Sequence, residues 1–214
     1  MRKMSKMKNT LFLLMALFMA VSCKKEPIEF TLKGKVSDAT FNSGLKDATI
    51  TLTEIPIANG GAKVVGSAVL GADGSYSFTF KRDKAEKYVL SITKTNYFSI
   101  KEEIPFSTFS SEEALVRNYS TTAKAWAKIR FVNVGVANET DVLSFIKQQG
   151  KTGCAECCAV EERFVYGIAD TSFICINDGN TNYSYYYSIH NSTSYGLPVI
   201  YTTAFDTVEY VQQY

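Results

Sequence analysis

The chain has 214 residues, of which 46% are apolar and 13% aromatic, with 23 basic and 21 acidic side chains. This apolar fraction is enough for packed cores, so the composition excludes a disordered stalk. The near-neutral charge provides no basic surface for a nucleic acid partner. The length suits one large or two small domains.

The first 23 residues have the pattern of an export signal. Four basic residues precede the apolar run LFLLMALFMA at residues 11–20, and small residues lead on to Cys23. A basic head, a short apolar run and small residues are typical of a secretory signal peptide. A transmembrane anchor is the alternative, but spanning a bilayer takes about 20 apolar residues. Removing the signal leaves 19 basic against 21 acidic residues, a net charge near −2.

This segment resembles a bacterial lipobox, with Ala20 where the family usually has Leu and Ser22 where it has Gly or Ala. The resemblance implies that residues 1–22 are removed and that Cys23 is acylated, which makes membrane lipid a partner. Cleavage without acylation is the alternative. Residues 23–28 then form a lipidated tether, whose sequence lacks both the Asp of inner-membrane retention and an acidic surface-display run. The periplasmic leaflet of the outer membrane is therefore favoured over the cell surface.

Short alternating segments follow the tether. Apolar and polar residues alternate at residues 31–37, 48–53, 75–80 and 88–93, residues 64–70 are predicted to be a further strand, and Asp73-Gly74 is a strong turn signal. Short strands at this spacing indicate a β-sandwich rather than βαβ units.

The motifs in this region are GKVSD at 34–38, GLKDATITL at 44–52, ADGSYSF at 72–78, and YVLSI with KTNY at 88–97. Together they resemble the carboxypeptidase regulatory-like domain, a transthyretin-like, Ig-like sandwich similar to collagen-adhesin B repeats. The resemblance implies such a domain at residues 29–106. The carboxypeptidase in the family name refers to a neighbouring catalytic domain, which is not expected in this chain. Asn96 replaces the usual Gly before Tyr97, and both residue types tolerate left-handed backbone geometry.

The second half predicts another all-β domain. Residues 107–122 are rich in Ser and Thr and are predicted to be a linker. Residues 123–214 are predicted to form a second β-sandwich of no recognised family. Strands are expected at 126–134, 163–166, 172–177, 183–190, 197–203 and 207–211, with a helical turn at 142–147 and a hairpin turn at 178–180.

Four cysteines follow Cys23, namely Cys154, Cys157, Cys158 and Cys175. The exported compartment is oxidising, so two disulfides are expected. A free loop-borne pair and a Cys₄ metal site are the alternatives, although the adjacency of two of these cysteines disfavours tetrahedral ligation. The sequence does not choose among the three pairings. A link from Cys175 to the cluster is favoured, because a strand cysteine can hold a long loop.

Tyrosines concentrate near the C-terminus. Alternation in the strand at 183–190 places Tyr183, Tyr185 and Tyr187 on one face and Tyr186 on the other. The simpler interpretation is that the set of three packs the sandwich core. The alternative is a solvent-facing platform on which sugar rings stack, since Tyr combines an apolar ring with a polar hydroxyl.

Catalytic signals are sparse. The single histidine, His190, follows a predicted strand without a nucleophile motif, and no HExxH, GxGxxG or P-loop occurs. No cofactor or metal is expected. The sequence predicts a non-catalytic, lipid-anchored envelope protein that is a scaffold or accessory binding module with a glycan or envelope protein as partner. A carbohydrate-binding outer-membrane lipoprotein is the alternative.

Overall fold

The computed structural model describes residues 27–57, 60–134 and 140–214, and their regular structure is almost entirely β-strand. The predicted signal peptide, Cys23 and most of the tether lie outside the described residues. Within those residues, no helix has the length and apolar character needed to cross a membrane. The predicted all-β class with β-sandwich architecture is confirmed.

The first sandwich consists of two sheets. In one sheet, β1 pairs antiparallel with β2 and β5 and parallel with β8 and β9, while the other has the order β4-β3-β6-β7. The strands are β1 Glu29–Asp38, β2 Ser43–Gly44, β3 Thr49–Pro56, β4 Lys63–Val69, β5 Ser75–Lys81, β6 Ala85–Thr93, β7 Ile100–Pro105, β8 Leu115–Val116 and β9 Tyr119–Thr121, with a 3-10 turn at Phe106–Thr108.

Alternation determines which side chains enter this core. In β5, Tyr76, Phe78 and Phe80 are buried, while the residues between them are exposed. The Phe80 ring contacts Tyr88 at 5.0 Å and Phe109 at 5.5 Å between centroids. Buried aromatic rings contribute large apolar areas to stability, so this cluster is a main part of the first core.

Residues 107–122 do not form the predicted linker. They include β8 and β9, which pair with β1, and Phe109 lies in the first core. The close approach of this segment explains Gly34, because a Cβ there would lie only 1.7 Å from the Arg117 carbonyl oxygen. Strands that add to a distant strand have no local sequence partner, which is why composition alone suggested a linker.

Two turn expectations in the first sandwich are confirmed. Asn96 has φ +62° and Gly74 has φ +69°, both in the left-handed region. Asn and Gly are the residues that adopt this conformation at least cost.

The second sandwich also has two sheets, one of order β13-β10-β17 and one of order β12-β11-β14, in which β14 also pairs with β15 and β16. The strands are β10 Lys124–Val132, β11 Val142–Gln149, β12 Arg163–Tyr166, β13 Asp170–Asp178, β14 Thr181–Ile189, β15 Tyr195–Gly196, β16 Val199–Thr202 and β17 Thr207–Gln213. Its core is a separate hydrophobic cluster that contains Phe131, Phe145 and Tyr185.

Two predictions for this half are wrong. The segment at 142–147 is the strand β11 rather than a helical turn, because it pairs on both sides with β12 and β14. The turn at 178–180 does exist, with Asn180 at φ +58°. However, it connects strands of opposite sheets and is not a hairpin, since β13 pairs with β10 and β14 with β11.

The chain passes between the sandwiches through a joint at residues 121–124. From the first sandwich, the Phe98 amide donates to the Thr122 carbonyl at 3.2 Å, and the Lys124 amide donates to the Asn96 carbonyl at 2.7 Å. From the second, the Gly179 amide donates to the Ala123 carbonyl at 2.8 Å. The connecting backbone is therefore hydrogen-bonded to both sandwiches at once.

An aromatic side chain reinforces this joint. Phe205, in the turn between β16 and β17, contacts Phe41 at 5.8 Å and Tyr97 at 5.5 Å between ring centroids. The Tyr97 hydroxyl donates in turn to Asp38 at 2.6 Å. These contacts cross from the second sandwich to the first and oppose hinge motion.

A buried carboxylate and a buried tyrosine hydroxyl lie near each other at the end of the first core that is remote from the joint. Glu54 is 6% exposed and stands opposite Tyr88 on the neighbouring strand. Within the described residues, neither its Oε2 atom nor the Tyr88 hydroxyl has a hydrogen-bond partner. Burial raises the pKa of Glu54 above its ordinary value of 4.5, and the charge of Asp83 adds to the shift.

We expect Glu54→Gln to stabilise the protein at neutral pH by about 1 kcal/mol, because it removes a buried charge without a full set of partners. Since the folded-state pKa is raised, the native chain loses stability as pH rises from 4.5 through that higher value, and the variant lacks this loss. Denaturant unfolding between pH 4 and 8 measures the difference. Glu103→Gln is the control, because Lys87 lowers the pKa of Glu103. Equal pH profiles for the native chain and Glu54→Gln would contradict the assignment.

Candidate functional site

The three tyrosines proposed for glycan contact face the core. Tyr183 and Tyr185 are 1% and 0% exposed, and Tyr187 is partly buried against the same cluster. Tyr185 packs edge-on against Phe131 and Phe145 at 5.9 and 6.1 Å between centroids. The predicted sugar platform at these positions is therefore wrong, and the core interpretation is confirmed. Their face is buried because it carries the larger apolar surface of the strand.

Burial also governs the chemistry of these phenols. Loss of solvent raises the pKa of Tyr183 to about 12 and raises that of Tyr185 further. The Tyr185 hydroxyl donates to the Gln212 side chain at 3.4 Å. Both groups are neutral core residues at any physiological pH.

The opposite face of the same sheet carries a second set of aromatic residues, which is solvent-exposed. We call it the outer aromatic face, and it consists of Phe164, Tyr166, Tyr186, Tyr195 and Tyr201. Phe164 stacks with Tyr166 at 6.1 Å, and Tyr186 contacts Tyr195 at 6.3 Å between centroids. Tyr195 is 69% exposed and Tyr166 is 66% exposed, so their rings are accessible to a ligand.

Strand register places small hydroxyl residues between the aromatic groups. Phe164 pairs with Ser144, Ser144 pairs with Ser188, and Ser188 pairs with Tyr195 across four adjacent strands. Strand spacing puts the two aromatic ends of this row about 14 Å apart. The Ser144 and Ser188 hydroxyls lie 3.0 Å from each other. The row therefore places two serines, of which Ser144 is buried and Ser188 is half-buried, between aromatic side chains.

The outer aromatic face carries no charged residue at its strand positions, which are 142, 144, 146, 164, 166, 184, 186, 188, 195, 199 and 201. The outer face of the opposite sheet is different, because ion pairs join Lys128 to Glu209 at 3.3 Å and Arg130 to Asp170. A solvated sheet face normally looks like the second of these. An exposed, uncharged aromatic face is the exception, and such faces are a common feature of binding surfaces.

His190 lies at the rim of the outer aromatic face. Its ring packs edge-on against Phe164 at 6.0 Å between centroids. Among the described residues, no cluster of three or more His, Cys, Asp or Glu side chains is placed to hold a metal ion.

The cysteines form two disulfides, Cys154–Cys157 and Cys158–Cys175. The favoured link from Cys175 to the cluster is confirmed. Cys175 lies in β13, which is an edge strand of its sheet. The second disulfide therefore fastens the loop between β11 and β12 to this edge, and covered edges are protected from pairing with other chains.

Lys147 holds the same loop from inside. Its ammonium group donates to the Lys151 carbonyl at 2.6 Å and the Cys158 carbonyl at 2.8 Å. Burial lowers the pKa of Lys147, and the nearby charge of Arg163 adds to the effect. The loop is thus fixed at both its start and its disulfide.

A groove of about 650 Å³ lies beside the joint, between the loop and the first sandwich, with Phe98 in its lining. The ammonium groups of Lys124 and Lys151 lie 5.4 and 4.5 Å from the Phe98 ring centroid. Each also pairs with a carboxylate of this chain, Lys124 with Glu156 at 2.7 Å and Lys151 with Asp178 at 2.8 Å. Their charges are therefore used in fastening the loop to the joint.

No family model and no curated protein matches this sequence. The resemblance to the carboxypeptidase regulatory-like domain therefore stays a prediction.

Several solved structures show a low similarity. The Bacillus anthracis TIE protein has 14% identity and a TM-score of 0.36 over 87% of this chain, which spans 34% of that protein. The minor pilin GBS52 of Streptococcus agalactiae has 10% identity and a TM-score of 0.33, covering 86% of this chain and 94% of its own. The shaft pilin spaA of Lactobacillus rhamnosus GG has 9% identity and a TM-score of 0.32, covering 87% and 97%. Scores this low carry no functional argument, and the fold assignment depends on the sheets described above.

We expect Tyr185→Ala and Tyr186→Ala to differ sharply in stability although the residues are adjacent. Tyr185→Ala removes a fully buried ring and should cost about 3–5 kcal/mol, whereas Tyr186→Ala on the exposed face should cost less than about 1 kcal/mol. Denaturant unfolding followed by fluorescence of Trp126 measures both. Equal losses would show that the two faces of β14 are assigned wrongly.

The two disulfides should also differ. The chain-entropy relation gives about 3 kcal/mol for Cys158–Cys175, with its separation of 17 residues, and about 2 kcal/mol for Cys154–Cys157, with its separation of 3. Cys158→Ala with Cys175→Ala should therefore destabilise more than Cys154→Ala with Cys157→Ala. Only the first pair should also expose the β13 edge, and light scattering would detect the resulting self-association. A larger loss from the second pair would contradict the proposed role of the loop.

Proposed function

We propose that this chain is a non-catalytic binding module of the cell envelope. Acylated Cys23 anchors it, in the periplasmic leaflet of the outer membrane, and the outer aromatic face contacts the ligand. The observation that carries the proposal is the contrast between the two outer faces of the second sandwich. One is stabilised by ion pairs, and the other exposes five aromatic side chains without a charge.

The fold supports presentation of this face to a partner. β1 begins at the anchor side and ends at the joint, where Asp38 contacts Tyr97. The second sandwich therefore lies at the opposite end of the first sandwich from the tether. A strand of ten residues spans about 33 Å, so the outer aromatic face is held away from the bilayer.

A neutral glycan is the ligand class that this face fits best. Sugar rings present C–H faces that stack on aromatic rings, and tyrosine hydroxyls at the rim can bond ring hydroxyls. Between the aromatic side chains, the half-buried Ser188 adds one more hydroxyl group. The absence of charge at the strand positions of the face favours a neutral over an acidic polysaccharide.

Affinity electrophoresis of the full chain through gels that contain neutral or acidic polysaccharides tests this function. We expect retardation by a neutral glycan, weakened at least about tenfold in Tyr186→Ala with Tyr195→Ala, which corresponds to about 1.4 kcal/mol. Ile174→Ala is the matched control, because this exposed apolar residue lies on the opposite sheet. Its mobility should equal that of the native chain.

Two other outcomes are informative. Without retardation by any glycan, capture of an envelope protein that depends on Tyr186 and Tyr195 would support a protein-binding module instead. If neither glycan nor protein binding depends on these residues, the outer aromatic face is not the binding surface.

A further inference from the structure

The end of the first sandwich nearest the tether has an unusual surface. We call it the anchor end, and it consists of Ile28, Ile57, Arg82, Lys84 and Phe106 around a shallow cavity of about 570 Å³. Backbone hydrogen bonds hold its segments together, from the Arg82 amide to the Ile28 carbonyl at 2.9 Å and from the Ile57 amide to the Lys84 carbonyl at 3.4 Å. Three of the four chain segments that form this tip are therefore joined through their backbones.

This tip combines exposed apolar side chains with cations. Ile57 is 70% exposed and Ile28 is 44% exposed. The Arg82 guanidinium lies 5.5 Å from the centroid of the Phe106 ring. Lys63 pairs with Asp83 at 3.7 Å, whereas no salt bridge among the described residues involves Arg82 or Lys84. Apolar groups flanked by cations match an interface of acyl chains and anionic headgroups.

The length of the tether restricts what this tip can face. Three residues separate Cys23 from Pro27, the first described residue, and an extended chain covers at most about 14 Å over these four residue steps. An acylated Cys23 lies at the membrane interface. The headgroup layer is itself about 5–8 Å thick on each side of the hydrocarbon core. The anchor end is therefore held within reach of the lipid headgroups.

We propose that the anchor end rests on the bilayer itself, with Ile28 and Ile57 in the interfacial layer and Arg82 and Lys84 against anionic lipid phosphates. This contact fixes the orientation of the protein, so that β1 points away from the membrane and the joint lies on the far side. The inference rests on the acylation of Cys23 in the proposed function. The tether provides the high local concentration that makes a small contact effective.

Depth measurements on the acylated full chain test this orientation. The chain is reconstituted into vesicles of phosphatidylethanolamine and phosphatidylglycerol, with a nitroxide label on Ile57→Cys or on Val69→Cys. These two positions are 70% and 69% exposed and lie at opposite ends of the first sandwich. Four native cysteines form disulfides and Cys23 is acylated, so the introduced thiol reacts alone.

We expect the label at 57 to collide more with oxygen than with a water-soluble nickel complex, as in the bilayer interface, and the label at 69 to behave as in water. Equal, aqueous behaviour of both labels would overturn the proposed orientation. The mass of the N-terminal peptide separates this failure from that of the anchor. If Cys23 carries no acyl group, both the proposed anchoring and the proposed membrane contact are contradicted.

Charge reversal tests the headgroup contact. Arg82→Glu with Lys84→Glu should move the label at 57 outward in vesicles with phosphatidylglycerol and have no effect in vesicles of phosphatidylcholine alone. Lys46→Glu is the control, because Lys46 is exposed, as Arg82 and Lys84 are, but lies at the joint end of the first sandwich. Arg82 also packs on Phe30, so Lys84→Glu alone serves if the double variant unfolds. An unchanged depth in the folded variant would overturn the role of these cations.

Discussion

The backbone of residues 121–124 belongs to both sandwiches, and the arrangement of the molecule depends on it. Its carbonyl and amide groups bond to Phe98 and Asn96 on one side and to Gly179 on the other. Buried backbone groups that lose such partners are costly. A hinge at this point would have to break several hydrogen bonds and withdraw Phe205 from Tyr97. The two domains therefore behave as one body, unlike domains joined by a flexible linker.

The strand periodicity of β14 could be predicted from the sequence, but the sequence left open which of its faces is buried. Alternation separates Tyr185 from Tyr186 correctly, and the side with more aromatic residues was a candidate platform. The signal for the correct choice lies in the intervening residues, because Ser184 and Ser188 make the other face of the strand less apolar, although Ser184 is itself buried. The remaining members of the outer aromatic face come from β12, β15 and β16, and only strand register brings them beside Tyr186.

Most strands of the first sandwich follow from local pattern, as do the left-handed Asn96 and the turn at Gly74. The segment at 107–122 was missed because its partner, β1, lies about 80 residues earlier in the chain. β11 was missed because its run of mixed residues shows no clear period and becomes a strand through pairing on both sides. In both segments, pairing with strands distant in the sequence determined the secondary structure, because local propensity favoured no single element.

The parallel pairing of β1 with β9 has a mechanical consequence. The chain enters β1 at Glu29 and leaves β9 at Thr121, so tension between the tether and the second sandwich pulls the two strands in opposite directions along their length. Their hydrogen bonds then carry the load together, in shear, and do not open one at a time. A molecule held by its tether at one end and by a ligand at the other is therefore loaded along these strands and not across them.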